Sequence, residues 1–351
     1  MRQFQSRAAE SFEFKEVLYE KRDRVARITI NRPERYNAYS TKALEELARA
    51  FRDASFDDAV GVIVFSGAGH AAFCTGGDVK EYADSYVGRP RDYWKYMGLF
   101  KAYIESIVND GKPTIARLNG MAVGGGNESQ LACDLAIAAE HAFLKQVGIH
   151  VGSVACGGAT QWLPLVVGDR RARQMLMLGD PISARRAVEW GLVNEAVPSV
   201  KRHGDFVSEP TPEQVKLAQS GREGFSIDLS KLDAAVDRMC ERLLESFPEC
   251  IRYTKQQTNF MKDFVWHQTI GHARDWLTLH YTSWEPLEGM RAFVEKRKPR
   301  YALLRQQAAE GGSSEMPWGA YALDCPACGA QGLPEGFEHC GACGAPLGGR
   351  V

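Results

Sequence analysis

With 351 residues, 44% hydrophobic and 25% charged, the chain has the apolar content for one large or two medium globular domains. A formal net charge of −1 excludes a bulk electrostatic case for binding nucleic acid or a membrane surface. No apolar run approaches the roughly 18–20 residues of a membrane-spanning helix, and the N-terminal MRQFQSRAAESFEFKEV lacks the apolar block of a secretory signal, so a cytoplasmic location is expected.

Val25–Pro33 alternates apolar and polar residues and stops at proline, which predicts a strand. A helical period follows in STKALEELARAFRDAS, with Ser40 as its N-cap. Val60–Gly69 reads as a buried strand, Ala72–Ala83 as a loop running into a helix, and Arg91–Val108 as a long amphipathic helix. Lys112–Val123 reads as the next strand, followed by a glycine run and a helix. DLAIAAEHAFL is expected to be helix giving way to a further strand. Strands and helices alternate to about residue 200, which implies an α/β domain. Residues 203–227 read as a connecting loop, the chain from Asp228 as helical, and Gln306–Gly319 as a flexible linker.

Two glycine turns carry the chemistry. AVGGGNESQLACD (Ala122–Asp134) and FCTGGDVKE each place glycines between a strand and a helix start. Glycine lets backbone approach a ligand closely, and a helix start offers unpaired N–H groups at a positive dipole end. Two such loops, each giving one N–H, make a two-donor hole for a developing oxyanion. Glu128, in the first turn beyond the glycines, is placed to act as an acid or base. No Lys follows the glycines as a phosphate loop requires. Taken singly, either turn also reads as a plain tight turn, and Glu128 as a dipole-favoured surface residue.

The nine cysteines divide sharply. Cys74, Cys133, Cys156, Cys240 and Cys250 are scattered and odd in number, which is no disulfide framework. Cys325-x-x-Cys328 and Cys340-x-x-Cys343 form two knuckles, separated by eleven residues, each followed by glycine. Four thiolates at that spacing predict a structural, tetrahedral zinc ribbon. His339 is not expected among the ligands. Glu310, Glu315, Asp324, Glu335 and Glu338 stand against Arg350 in this tail, which argues against nucleic acid and for docking on a protein or a neighbouring subunit.

INRPERYNAYS, AFCTGGDVKEYA, ARLNGMAVGGGNESQLACDLAIAAEHAFL, GGATQWLPLVVG and ARRAVEWGLVNEAVP together resemble the crotonase (enoyl-CoA hydratase/isomerase) superfamily over roughly residues 14–300. The resemblance implies an α/β fold, a ββα spiral core over 14–202 with a loop and C-terminal helical region over 203–305; composition and cysteine spacing add a linker over 306–324 and a zinc-ribbon module over 325–346, a tail outside the resemblance. It implies an acyl-CoA substrate, no redox cofactor, and assembly as homotrimers or dimers of trimers. Carried over, the oxyanion donors are Gly77 and Gly125 and the acid/base is Glu128. Arg35, Gly76, Asp78 and Lys80 are assigned to CoA binding, Arg35 and Asp78 having the alternative readings of solvated charge and helix cap. Tyr93, Trp94, Tyr96 and Phe100 read either as the roof of an acyl pocket or as core.

The second glutamate of the hydratases falls on Gly148, and the Asp that some ring-processing relatives carry is absent around Val154–Cys156. Within the superfamily the chain resembles most the ring-opening 6-oxocyclohex-1-ene-1-carbonyl-CoA hydrolases, through FCTGGDVKEYA, RPRDYWKYMGLF, GGATQWLPLVVG, GDFV at Gly204–Val207 and IDLSKLD…CERLLESFPEC. That implies water addition to an enoyl bond, then hydrolytic carbon–carbon cleavage, with His150 and Ser153 as assistants. Here the family's His-Gly-Ser run reads Val151-Gly152-Ser153, and its Gln before the glutamate is Asn127. A hydratase or isomerase, and an acyl-CoA-binding adaptor without turnover, are the alternative readings. Cys156 reads as a small core residue.

Overall fold

Three successive strand pairs of this chain send their two members into different sheets. In the computed structural model, which describes residues 6–315, 321–331, 333–334 and 336–347, the hairpin β1 (Val17–Arg22) and β2 (Val25–Ile30) leads through helix α1 (Thr41–Phe56) to β3 (Val62–Gly67) and β4 (Ala72–Cys74). Helices α2 (Val79–Ser85) and α3 (Pro90–Val108) precede β5 (Thr114–Leu118) and β6 (Met121–Val123). Helix α4 (Gly125–Ala132) precedes β7 (Leu135–Ala139) and β8 (Phe143–Lys145). There follow α5 (Gly148–Val151), α6 (Ala159–Val167), α7 (Asp169–Leu178), β9 (Ile182–Ser183), α8 (Ala184–Glu189) and β10 (Glu195–Val197).

β3, β5 and β7 join β1, β2 and β10 in a six-stranded sheet of order β1-β2-β3-β5-β7-β10, parallel from β2 onward. Their short partners β4, β6 and β8 form, with β9 antiparallel at the edge, a sheet of order β4-β6-β8-β9. Repeated, this is the expected ββα spiral. All six residues of β3 are buried, as in a parallel sheet covered on both faces. Ile63 and Phe65 pack into the main core with α1 and α3, while Val62 and Val64 pack outward against Leu232 and Val236. Ser40 caps α1 as predicted, its Oγ accepting the Ala43 N–H at 3.1 Å.

Four expectations are corrected. Lys112–Val123 is not one strand: the chain turns at Asn119-Gly120, where the Asn119 side chain accepts the Gly67 N–H and donates to the Gly69 and Ala72 carbonyls. Asp134–Leu144 contains no helix. Ala136 and Ala138 face the inner core while Ile137 and Ala139 face the outer one, a period of two that short apolar side chains disguised. Residues 203–227 are structured: β11 (Val200–Arg202), β12 (Asp205–Phe206), α9 (Pro212–Gln219) and β13 (Phe225–Ile227) fold around Val200, Ala218 and Phe225. Finally, the linker begins later than Gln306.

The helical region comprises α10 (Ser230–Leu244), α11 (Pro248–Thr258), α12 (Phe260–His280), α13 (Trp284–Val294) and α14 (Tyr301–Ala309). Helix α14 therefore takes in the first linker residues, and Ser314 accepts a hydrogen bond from the Trp284 N–H at 3.0 Å. Residues 316–320 of the expected linker lie outside the described residues. Among the described residues no helix is long and apolar enough to cross a membrane.

Helix α4 presses directly on β4. A Cβ on Gly126 would lie 2.0 Å from the Cys74 carbonyl oxygen. Gly126→Ala is expected to destabilise the protein by about 1–3 kcal/mol through overpacking, read as a lower urea midpoint at unchanged slope.

Candidate active site

Because β4 and β6 are parallel neighbours, Cys74 pairing with Ala122, the loops leaving their ends emerge side by side. The first loop is pinned to Tyr39, whose N–H donates to the Gly76 carbonyl (2.9 Å) and whose carbonyl accepts the Asp78 N–H (3.1 Å). In a parallel bridge these bonds use the groups flanking Gly77, so the N–H of Gly77 points away from Tyr39. The second loop turns at Gly124, φ +55°, and α4 starts at Gly125, whose N–H belongs to the unpartnered first turn. A Cβ on Gly76 would stand 2.8 Å from the Gly125 nitrogen. With φ at +87°, Gly76 is also in a conformation that side chains disfavour. The two amide-bearing loops thus meet backbone to backbone.

Glu128 lies one turn into α4 and is buried. Its Oε1 accepts the Gly157 N–H at 2.7 Å and the Ala159 N–H at 3.2 Å. Burial raises the carboxyl and the two amides lower it, with burial the larger effect, which leaves its pKa at about 7. Gly157 is glycine for space, because a Cβ there would meet the Phe100 ring at 2.1 Å and Oε2 of Glu128 at 2.9 Å.

Gly76, Gly77, Gly124, Gly125, Glu128 and Ser153 line one cavity, so the structure brings together most of the predicted catalytic set. Its apolar wall is Tyr82, Tyr93, Met97 and Phe100 with Leu277 and Met290 from α12 and α13. Of the four aromatics singled out in the sequence, Tyr93 and Phe100 reach the cavity. Tyr96 stands behind it, sharing a 2.7 Å hydrogen bond with the Tyr82 hydroxyl. Trp94 is half exposed under the Arg274 guanidinium. Cys156 lines the cavity, but burial pushes its thiol well above the ordinary range, against a nucleophile.

His150 is corrected. Its ring packs over the glycine that ends α7, Nε2 lying 2.5 Å from where a Gly179 Cβ would be, and it does not line this cavity. Asp78 accepts the Lys80 and Glu81 N–H groups as the cap of α2 and pairs with Arg32 at 3.1 Å, so its oxygens serve the fold. Lys80 is exposed and pairs with Asp84 at 3.6 Å, and Arg35 is exposed in the turn before α1. Gly148 does line the cavity, but a Cβ there would stand 2.8 Å from the Ser153 carbonyl, so the turn leaves no space for a second glutamate.

Sequence reasoning missed Tyr39, Tyr82, Gln146, Leu277 and Met290. Gln146 lines the cavity, and its buried Oε1 has no hydrogen-bond partner among the described residues. Tyr39 was visible within INRPERYNAYS, one residue before the Ser40 cap. Nothing local marks Leu277 or Met290.

In the tail, the sulfurs of Cys325, Cys328, Cys340 and Cys343 lie within 4.8 Å of one another, a cluster able to hold a metal that does not include His339. The two knuckles are copies in backbone. Cys325 N–H donates to Ala330 and Gly329 N–H to Cys325, as Cys340 N–H donates to Ala345 and Gly344 N–H to Cys340. Gly329 and Gly344 share a φ near +74°.

The chain is similar to proteins of known sequence and structure. The enoyl-CoA hydratase/isomerase family matches residues 20–220. A 6-oxocyclohex-1-ene-1-carbonyl-CoA hydrolase from Geobacter metallireducens is 38% identical, covering 83% of this chain and 82% of the relative. A protein of the same name from Thauera aromatica is 35% identical over the same shares. Among solved structures, an enoyl-CoA hydratase/isomerase from Xanthobacter autotrophicus Py2 superposes with a TM-score of 0.64 at 26% identity, covering 85% of this chain and 94% of that one. An enoyl-CoA hydratase from Mycobacterium avium subsp. paratuberculosis K-10, at 24% identity, shares the fold with a TM-score of 0.66, over 82% of this chain and 98% of its own. The chain belongs to the enoyl-CoA hydratase/isomerase family, the crotonase superfamily, and is an enzyme of CoA-thioester chemistry.

Between about pH 4.5 and 7 folded Glu128 holds a proton that the unfolded chain has released, so its contribution makes stability fall as pH rises through that window. The total is on the order of 3 kcal/mol. In Glu128→Gln this part of the slope is expected to vanish, read by urea unfolding of both proteins across the window. Coincident slopes would refute the burial assignment.

Proposed function

We propose that the protein opens the ring of an alicyclic oxo-acyl-CoA such as 6-oxocyclohex-1-ene-1-carbonyl-CoA. The observation that carries this is the similarity to two hydrolases of that name over more than four fifths of each chain. The first water adds across the enoyl bond. The second attacks the ring ketone, and the bond between ketone carbon and α-carbon breaks to leave a carboxylate and the CoA ester. In both steps electron density reaches the thioester oxygen as an enolate, and the Gly77 and Gly125 amides are the proposed donors to it. Glu128, whose proton affinity is raised by burial, takes a proton from water and returns one to the α-carbon. Ser153 lines the same cavity and supports water placement. The exposed Arg35 and Lys80 are the cations proposed for the CoA phosphates. Gly76 opens the first loop to the substrate, and a cytoplasmic setting fits the unpaired cysteines.

A hydratase or isomerase is the second reading, favoured by the family match and by Glu128 and opposed by Gly148. Mass spectrometry of the substrate after incubation separates the two. Uptake of two waters with the thioester intact is expected, and one water means a hydratase. Glu128→Gln is expected to slow turnover at least about 100-fold. Unchanged activity in that variant would sink both readings.

The tail is proposed to bind one structural zinc. Tetrahedral zinc–thiolate bonds of about 2.3 Å space the sulfurs by about 3.8 Å. The Cys325–Cys343 and Cys328–Cys340 separations are 3.6 and 3.7 Å, far from the roughly 2 Å of a disulfide. The ribbon is proposed as a separate module that docks on a neighbouring subunit or protein, on a core that assembles as trimers or paired trimers. Native mass spectrometry reads both: three or six chains with one zinc each, and no zinc in Cys328→Ser.

A further inference from the structure

Tyr39 is 2% exposed and lines the cavity, yet its hydroxyl makes no hydrogen bond to any described residue. Buried phenols ordinarily find a partner. Its position is fixed on every side. The backbone bridges Gly77, the ring stacks on Phe100 at 5.7 Å and 24°, and Tyr103 leans on it at 5.9 Å. The hydroxyl occupies the space a side chain at 125 would need, since a Cβ on Gly125 would fall 1.8 Å from it. A rigid, open hydrogen-bond donor therefore stands over the start of α4 beside the thioester-oxygen donors. Burial and the nearby Tyr82, Cys74 and Glu128 hold its pKa well above the ordinary phenol range, so it keeps its proton and donates.

We propose that the Tyr39 hydroxyl binds the ring ketone oxygen during carbon–carbon cleavage, an oxygen site separate from the one formed by Gly77 and Gly125. This rests on the ring-opening reading. The chemistry needs two such sites. As water attacks the ketone carbon, the carbonyl electron pair moves onto the ketone oxygen, which becomes the anionic oxygen of a tetrahedral adduct. Tyr39 donates a hydrogen bond to it. When the adduct collapses, that C=O bond re-forms and the bond to the α-carbon breaks. The bond's electron pair then passes to the thioester oxygen at Gly77 and Gly125. Glu128 carries the water proton to the α-carbon, the new carboxylic acid releases its proton to solvent, and no oxidant or reductant is involved. Water addition to the enoyl bond can draw on the thioester site alone, so the two steps depend on Tyr39 unequally.

The test uses Tyr39→Phe in the full chain, which keeps the ring packing, with matched circular dichroism and melting point as the check on folding. Given 6-oxocyclohex-1-ene-1-carbonyl-CoA, the wild-type protein is expected to form the two-water product. The variant is expected to accumulate the one-water adduct, with cleavage slowed on the order of 100-fold and first-water uptake within a few-fold. Supplied with the purified one-water adduct, the wild type opens it and the variant does not. Cleavage at the wild-type rate, or an equal fall in both steps, would overturn the assignment of Tyr39 while leaving ring opening intact. If the wild type itself takes up fewer than two waters, the ring-opening reading falls and takes this role with it.

Discussion

The structure turns on one contact, the approach of the Gly76 backbone to the Gly125 amide, which a single Cβ at position 76 would block at 2.8 Å. Bringing the amides of two distant segments side by side needs their main chains to touch, and only glycine permits that. The rest of the spiral serves the contact. Parallel pairing of β4 with β6 delivers both loops to one sheet end, and the Asn119 turn carries the chain from the large sheet into the small one. The space left by missing side chains is taken by phenols, Tyr82 beside Gly77 and Tyr39 beside Gly125. The amides are thereby flanked by hydroxyls that can themselves donate.

Two carboxylates sit at two helix starts and do different work. Asp78, ahead of α2, spends its oxygens on the Lys80 and Glu81 amides and on Arg32. Glu128, within the first turn of α4, bonds through Oε1 alone to the 157–159 loop in a buried setting. The same dipole acts on both. What separates them is the partner: Asp78 has the Arg32 guanidinium beside it, whereas Glu128 has no cation among its bonded partners and is buried, which penalises its charge.

Much of the site was legible because it is local. Glycine runs between a strand and a helix have few physical uses, and the Glu128 spacing follows from the helical turn. Four cysteines in two repeated pentapeptides specify a thiolate cluster wherever the tail lies. What the sequence hid was of another kind. Ala136 and Ala138 are small enough to suit a helix or a strand, and their place in a sheet is decided by β5 and β10 on either side. His150 shares a short turn with Ser153, and a register difference of a few residues sends one to Gly179 and the other to the cavity. Tyr39 stood in a quoted motif, but its value depends on Gly125, far off in sequence.

The cavity is closed by residues from the far end of the chain. Leu277 and Met290 complete a wall whose opposite side was set by residue 128. Until α12 and α13 are made, the cavity lacks Leu277 and Met290 and has no wall on that side. The finished cavity is thus a property of the whole chain, and a protein cut short before α12 would carry the glycine loops without the wall that faces them.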